Sequence, residues 1–141
     1  MQKRYVYQRK INYYETDKMG VVHHSNYIRF MEEARIAFLE ANGMSYAEFE
    51  KQGVISPVVS VDCKFKTPCT YGDTLEVMVE IVEYRGVRFV YEYTMTNKDT
   101  GAVVAVGKTE HCFTDSTGKP IIIKKAFPEL HETFSKILEL E

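Results

Sequence analysis

Two periods divide this chain. Near the N-terminus Tyr5, Tyr7, Arg9, Ile11 and Tyr13 alternate with Val6, Gln8, Lys10, Asn12 and Tyr14. Aromatic and β-branched residues at period two predict a strand with one rather polar face. From Asn26 to Ala41 the period becomes helical. Tyr27, Phe30, Met31, Ala34, Ala37, Phe38 and Ala41 share one face, with Arg29, Glu32, Glu33 and Glu40 opposite. Ile28, Ile36 and Leu39 widen the apolar surface, so this helix is expected to be more buried than an ordinary surface helix. Ser25 suits the N-cap, and Gly43 the position just past the C-terminus.

Met44 to Gly53 is a short helical turn and loop. Period two then returns. Val59, Val61, Cys63 and Phe65 alternate with Ser60, Asp62, Lys64 and Lys66, which predicts a half-buried strand. Residues 67–73 form a connection. Leu75, Val77, Val79 and Ile81 alternate with Glu76, Met78 and Glu80; after a tight turn at Arg85-Gly86, Val87, Phe89, Tyr91, Tyr93 and Met95 alternate with Arg88, Val90, Glu92, Thr94 and Thr96. Asn97 to Gly101 is a hairpin loop. A last strand covers about Ala102 to Thr114 and ends at the turn Asp115 to Pro120, and Pro128 to Leu140 is a terminal helix. The short turns make the last three strands an antiparallel meander. A sheet with one apolar face needs cover, and the helix from Asn26 to Ala41 is the obvious filling. The expected class is α+β. No repeat, low-complexity stretch or linker divides residues 1–141, so one domain is expected.

Composition narrows the function. With 141 residues, 45% hydrophobic and 27% charged, the chain can bury a real core. A net charge of −2 offers no footprint for a polyanion, so nucleic-acid binding is not expected. No apolar run approaches about 18 residues, which argues against a membrane span. The basic start Met1-Gln2-Lys3-Arg4-Tyr5 lacks a following apolar stretch, so no signal peptide is expected and the location is cytoplasmic by default. Three cysteines, Cys63, Cys69 and Cys112, in such a chain are expected to be reduced thiols. No CxxC, HExxH, GxGxxG or GKS/GKT pattern is present, so no metal and no cofactor is expected.

Chemistry concentrates between the first strand and the helix, in Tyr13-Tyr14-Glu15-Thr16-Asp17-Lys18-Met19-Gly20-Val21-Val22-His23-His24-Ser25-Asn26-Tyr27. A loop held by rigid elements can expose functional groups there. Its sharpest features are an aspartate, a glycine three residues on, an apolar pair, a histidine pair, a small residue and then Asn-Tyr. In this pattern, and in element order over essentially the whole chain, the sequence resembles the hot-dog-fold thioesterases. It is closest in kind to the 4-hydroxybenzoyl-CoA thioesterase branch, which includes short bacterial acyl-CoA thioesterases. Asp17, Gly20, Val22, Asn26 and Tyr27 match the family pattern in register. Lys18 departs from it, standing where many members have a small residue or proline; that bears on the acyl group more than on the reaction.

The resemblance implies a curved five-stranded antiparallel sheet wrapped around a long central helix, with a short C-terminal helix. It also implies a homo-oligomer, a dimer with a continuous sheet or a tetramer of such dimers. The substrate would be acyl-CoA, or the thioester of an acyl carrier protein, bound at the subunit interface. The family's catalytic acid falls on Asp17. The helix entrance near His24 falls where the family polarises the thioester carbonyl, and in one branch a histidine at this position takes part in catalysis.

The chemistry of thioester hydrolysis suits these groups. Unpaired N–H groups at a helix N-terminus carry partial positive charge and can stabilise a developing oxyanion without reorganising. Asp17 can attack the carbonyl directly, giving an anhydride, or activate a water. As a bland alternative it is a turn aspartate. The His24 ring can position water or the carbonyl, or protonate the leaving thiolate; otherwise only its backbone matters. Tyr13, Gly20, Val22, His23, Asn26 and Tyr27 complete the expected substrate site. Gly20 permits a backbone conformation closed to other residues, Asn26 caps the helix, and His23 is a structural or solvent-facing ring. His111 and His131 are expected to be structural. For the coenzyme A phosphates the candidates are Arg85, Arg88 and Lys119, with Lys124 and Lys125 beside them. Two other functions compete: a hot-dog hydratase or dehydratase pairing Asp17 with His24, and a non-catalytic acyl-CoA-binding module.

Overall fold

Alternation along the strands is realised as a five-stranded antiparallel sheet in the computed structural model, which describes residues 1–140. The strands are β1 (Arg4–Lys10), β2 (Val58–Phe65), β3 (Thr74–Tyr84), β4 (Arg88–Asn97) and β5 (Val103–Cys112), in the spatial order β1-β3-β4-β5-β2. The meander of β3, β4 and β5 is present as expected. Leu75, Val77, Val79 and Ile81 turn one face of β3 inward and are at most 1% exposed. The helices are α1 (Ser25–Ala41), α2 (Tyr46–Lys51), α3 (Ile123–Ala126) and α4 (Pro128–Leu138). No helix is long and apolar enough to cross a membrane.

Helix α1 fills the sheet through Tyr27, Phe30, Met31, Ala34, Phe38 and Leu39, all buried. It approaches β5 at Gly107, where an added methyl would run into Met31 Cε and the Asp62 carbonyl oxygen. Glycine is therefore what lets helix and sheet close together at that point. The helix ends as its sequence suggests. Gly43 adopts φ +76°, and the Met44 N–H returns to the Leu39 carbonyl at 2.8 Å.

Several local details differ from the sequence reading or add to it. The first strand stops at Lys10; Tyr13–Glu15 form a 3-10 turn, leaving Tyr13 and Tyr14 exposed. On β1 the face carrying Tyr5, Tyr7 and Arg9 is the inward one, although it holds an arginine. Glu33 leaves the polar arc of α1: its carboxylate accepts from Tyr7 Oη and pairs with Arg9. Strand β2 is not half-buried. It lies at the sheet edge, with Val58, Val59, Val61 and Phe65 all exposed.

Candidate active site

The segment between the 3-10 turn and α1 folds back on itself. Thr16 and Val22 form a bridge, and the Asp17 N–H reaches the Val21 carbonyl at 2.9 Å. The reversal sits at Gly20, whose φ of +80° suits glycine, and the Gly20 N–H donates to the Asp17 carbonyl at 2.9 Å. Asp17 Oδ1 accepts from the Met19 N–H at 2.8 Å. The aspartate thus shapes its own turn, as the bland reading required, and still has a second oxygen to offer. Asp17 Oδ2 has no hydrogen-bond partner among the described residues.

The other wall of the segment is fastened to the chain that follows β2. Val21 bridges Thr70, Val22 N–H donates to the Cys69 carbonyl at 2.9 Å, and Thr70 Oγ1 donates to the Gly20 carbonyl at 2.6 Å. Together these elements enclose a shallow open groove of about 240 Å³. Asp17, Met19, Val21, Val22, His24 and Tyr27 line one side, and Phe65, Lys66, Thr67 and Pro68 the other. Met19 is 81% and Phe65 54% exposed, so the groove presents apolar surface to solvent.

Helix α1 begins one residue earlier than its sequence suggests. His24 already has helical angles, φ −56° and ψ −28°, and Ser25 is the first helical residue rather than the cap. The Ser25 N–H donates instead to His23 Nδ1 at 3.2 Å, with Ser25 Oγ 2.8 Å from the same nitrogen. In the neutral ring this makes Nδ1 the acceptor and leaves the proton on Nε2. Asn26 is not a cap either; its Nδ2 donates to the Glu15 carbonyl at 2.8 Å. The His24 N–H has no hydrogen-bond partner among the described residues. An unpaired amide at the head of a seventeen-residue helix lies in the field of the helix dipole.

The expected residues separate into two groups. Asp17, Val22, His24 and Tyr27 meet on one groove, with Gly20 and Asn26 shaping its frame. The His24 ring is exposed and stacks on His23 with centroids 4.2 Å apart. Burial pushes the Tyr27 phenol well above its ordinary range, and its hydroxyl lies 3.4 Å from Cys69 Sγ. Tyr13 stands outside this groove, edge-on to Tyr71. Arg85 and Arg88 line a different groove with Glu83 and Glu110, while Lys119, Lys124 and Lys125 are exposed elsewhere. Within one chain, none of these cations lines the Asp17 groove. The cation that does is Lys66, and its only signal in the sequence was a lysine at a strand end.

Comparison with known proteins places this geometry. A family model described as the Thioesterase-like superfamily matches residues 11–136. YneP of Bacillus subtilis is 37% identical over 127 residues, covering 90% of this chain and 92% of its own length. The acyl-CoA thioesterase YbgC of Helicobacter pylori is 32% identical over 129 residues, covering 86% and 95%. Among solved structures, the DHNA-CoA thioesterase of Staphylococcus aureus superposes with a TM-score of 0.94 at 36% identity, covering 97% of this chain and 92% of that one. The chain therefore belongs to the thioesterase-like superfamily and has its hot-dog fold.

Proposed function

We propose that the protein hydrolyses acyl-CoA thioesters at the Asp17 groove. The observation that carries this reading is the pairing of a free carboxylate oxygen, Asp17 Oδ2, with an unpartnered helix-head amide at His24 on the same groove. Thioester hydrolysis needs these two functions: a base or nucleophile, and a donor where the oxyanion forms. In the water route Asp17 takes a proton from water as the new C–O bond forms, and charge moves onto the thioester oxygen facing the helix head. The intermediate then collapses with C–S cleavage, and the thiolate of coenzyme A recovers the proton. In the direct route the same Oδ2 attacks the carbonyl carbon and C–S cleavage expels the coenzyme A thiolate, leaving an anhydride. Water then opens it, freeing the acid and the Asp17 carboxylate, and a proton of that water goes to the thiolate. The relatives named for acyl-CoA hydrolysis support the substrate class.

The same reading makes the protein a homodimer joined at β2. This strand leaves one hydrogen-bonding edge unpaired and exposes valines on both faces. An exposed strand edge can pair with another strand. Phe65 ends β2 and lines the Asp17 groove, so a partner at this edge stands beside the site. The coenzyme A phosphates then meet Lys66 and cations such as Arg88 or Lys119 brought by a second subunit.

The test is thiol release from short, medium, long and aromatic acyl-CoA esters, with acyl carrier protein thioesters alongside. Turnover of at least one CoA ester is expected. Tight binding without turnover across the whole panel would assign the groove to a non-catalytic binding module instead.

A further inference from the structure

The most heavily engaged residue of the loop is Glu15, which carries no role in the chemistry above. It is 5% exposed. Its Oε2 lies 2.6 Å from Arg9 Nη1, and its Oε1 accepts from the Asn12 N–H at 2.8 Å. Its carbonyl oxygen accepts from the His23 N–H at 2.9 Å and from Asn26 Nδ2 at 2.8 Å. Arg9 in turn is held on three sides. Its Nε lies 3.2 Å from Glu33 Oε1, and its guanidinium carbon sits 4.2 Å from the centre of the Phe30 ring. Tyr7 Oη donates to the same Glu33 oxygen at 2.9 Å.

We infer that Glu15 and Arg9 are positioning residues, which hold the Asp17 turn in register with the head of helix α1. The inference rests on Asp17 being the acting carboxylate. Glu15 is two residues before Asp17, and its carbonyl is tied to the two residues that flank His24 and Ser25. Its carboxylate is tied to β1 and, through Arg9, to Glu33 on α1. Strand, loop and helix are thereby joined at one residue. An apolar pair could fill this space without the cost of burying two charges. It could not fix the direction of the backbone, because dispersion contacts have no preferred angle. Reaction geometry is sensitive to this: a displacement of about 1 Å can lower turnover by about 10²-fold.

Glu15→Gln is the central variant, since it removes the charge and keeps the shape and the acceptor for Asn12. Arg9→Met and the double variant accompany it, with Asp17→Asn as the marker of the functional reading. Two quantities are read: kcat and KM for acyl-CoA, and hydrogen exchange of the Asp17 and His23 amides. In Glu15→Gln, kcat is expected to fall by about 10- to 100-fold with KM within about threefold. Exchange at His23 is expected to quicken by about tenfold while the β3 and β4 amides keep their protection. The double variant is expected to lose no more than the worse single one, because the pair acts as a unit. Wild-type protection at His23 in a folded Glu15→Gln protein overturns the inference, as do wild-type kcat or multiplicative losses in the double variant. Should the wild type release no thiol and Asp17→Asn change nothing, the functional reading has failed, and the exchange data still decide the positioning. If loss of the buried charge prevents folding, Asn26→Ala cuts the backbone arm alone and is expected to give the same kcat loss and the same loosening. Unchanged kcat and exchange in that variant would overturn the inference.

Discussion

The carbonyl oxygen of Glu15 accepts the His23 N–H at 2.9 Å, closing the loop that carries Asp17 across its base. Everything between these two residues is then short and constrained. Asp17 pairs with Val21, and Gly20 makes the reversal. The loop is better described as a rigid hairpin-like platform than as a flexible passage from strand to helix.

Gly20 is the turning point of that platform. A Cβ there would meet no atom within 4 Å, so the cost of a side chain is conformational and not steric. Gly20→Ala places a non-glycine residue at φ +80°. It is expected to lower stability by about 1 kcal/mol, measured by urea denaturation, and to lower kcat more than it raises KM. Unchanged stability would show that the turn relaxes to another conformation.

A second expectation concerns acid. His111 is 2% exposed, stacked on Phe89 with centroids 4.9 Å apart, and its Nε2 lies 2.8 Å from Thr109 Oγ1. Burial, reinforced by the Arg35 charge, pushes its pKa down from 6.5 to about 4. The unfolded chain therefore binds a proton in the window between these values when the folded chain does not. Stability is complete above about pH 6.5 and falls as the pH drops towards 4. The loss is on the order of 3 kcal/mol for a shift of this size. His111→Gln should flatten this part of the stability profile in denaturant titrations at fixed pH values. A slope equal to that of the wild type would place the acid sensitivity elsewhere.

Close packing at Gly107 sets a third. Gly107→Ala pushes Met31 and the Asp62 carbonyl apart, and overpacking of this kind costs about 1–3 kcal/mol. A thermal melt of the variant checks it. No loss of stability would mean that α1 can lift from β5 freely.

The fourth tests the sheet edge. Val61 lies on β2 and is 40% exposed. Val61→Lys puts a charge where a second copy is proposed to pair, and charged edges resist such pairing. Sedimentation should show the wild type as a dimer or tetramer and the variant shifted towards monomer. A monomeric wild type would contradict the proposed assembly.

Much of this was legible in the sequence. The inward faces of β3 and α1 follow from periodicity alone, because each residue's burial there depends on its own strand or helix. The turn at Gly20 and the place of Asp17 follow from local chemistry together with the family pattern. Arg9 was not legible as an inward residue. Alternation assigns it a face but cannot name the partners, Glu15 and Glu33, that make its burial tolerable. Glu15 was invisible for the same reason: its contacts depend on how three elements meet. The exposure of β2 was also missed, since a valine-rich alternating run has the same pattern at a sheet edge as inside. His23 in place of Ser25 at the helix head is a competition between two good acceptors, decided by the loop's geometry.

The central claim is that Asp17 does the chemistry and the groove does the binding. Asp17→Asn retains an oxygen for the Met19 N–H, so the turn should persist and the protein should melt as the wild type does. The direct measurement is kcat of Asp17→Asn against wild type on the best acyl-CoA ester. We predict a fall of about 10²- to 10⁴-fold, the range for loss of a general base, with KM little changed. Turnover of the folded variant within a few fold of wild type would contradict the account.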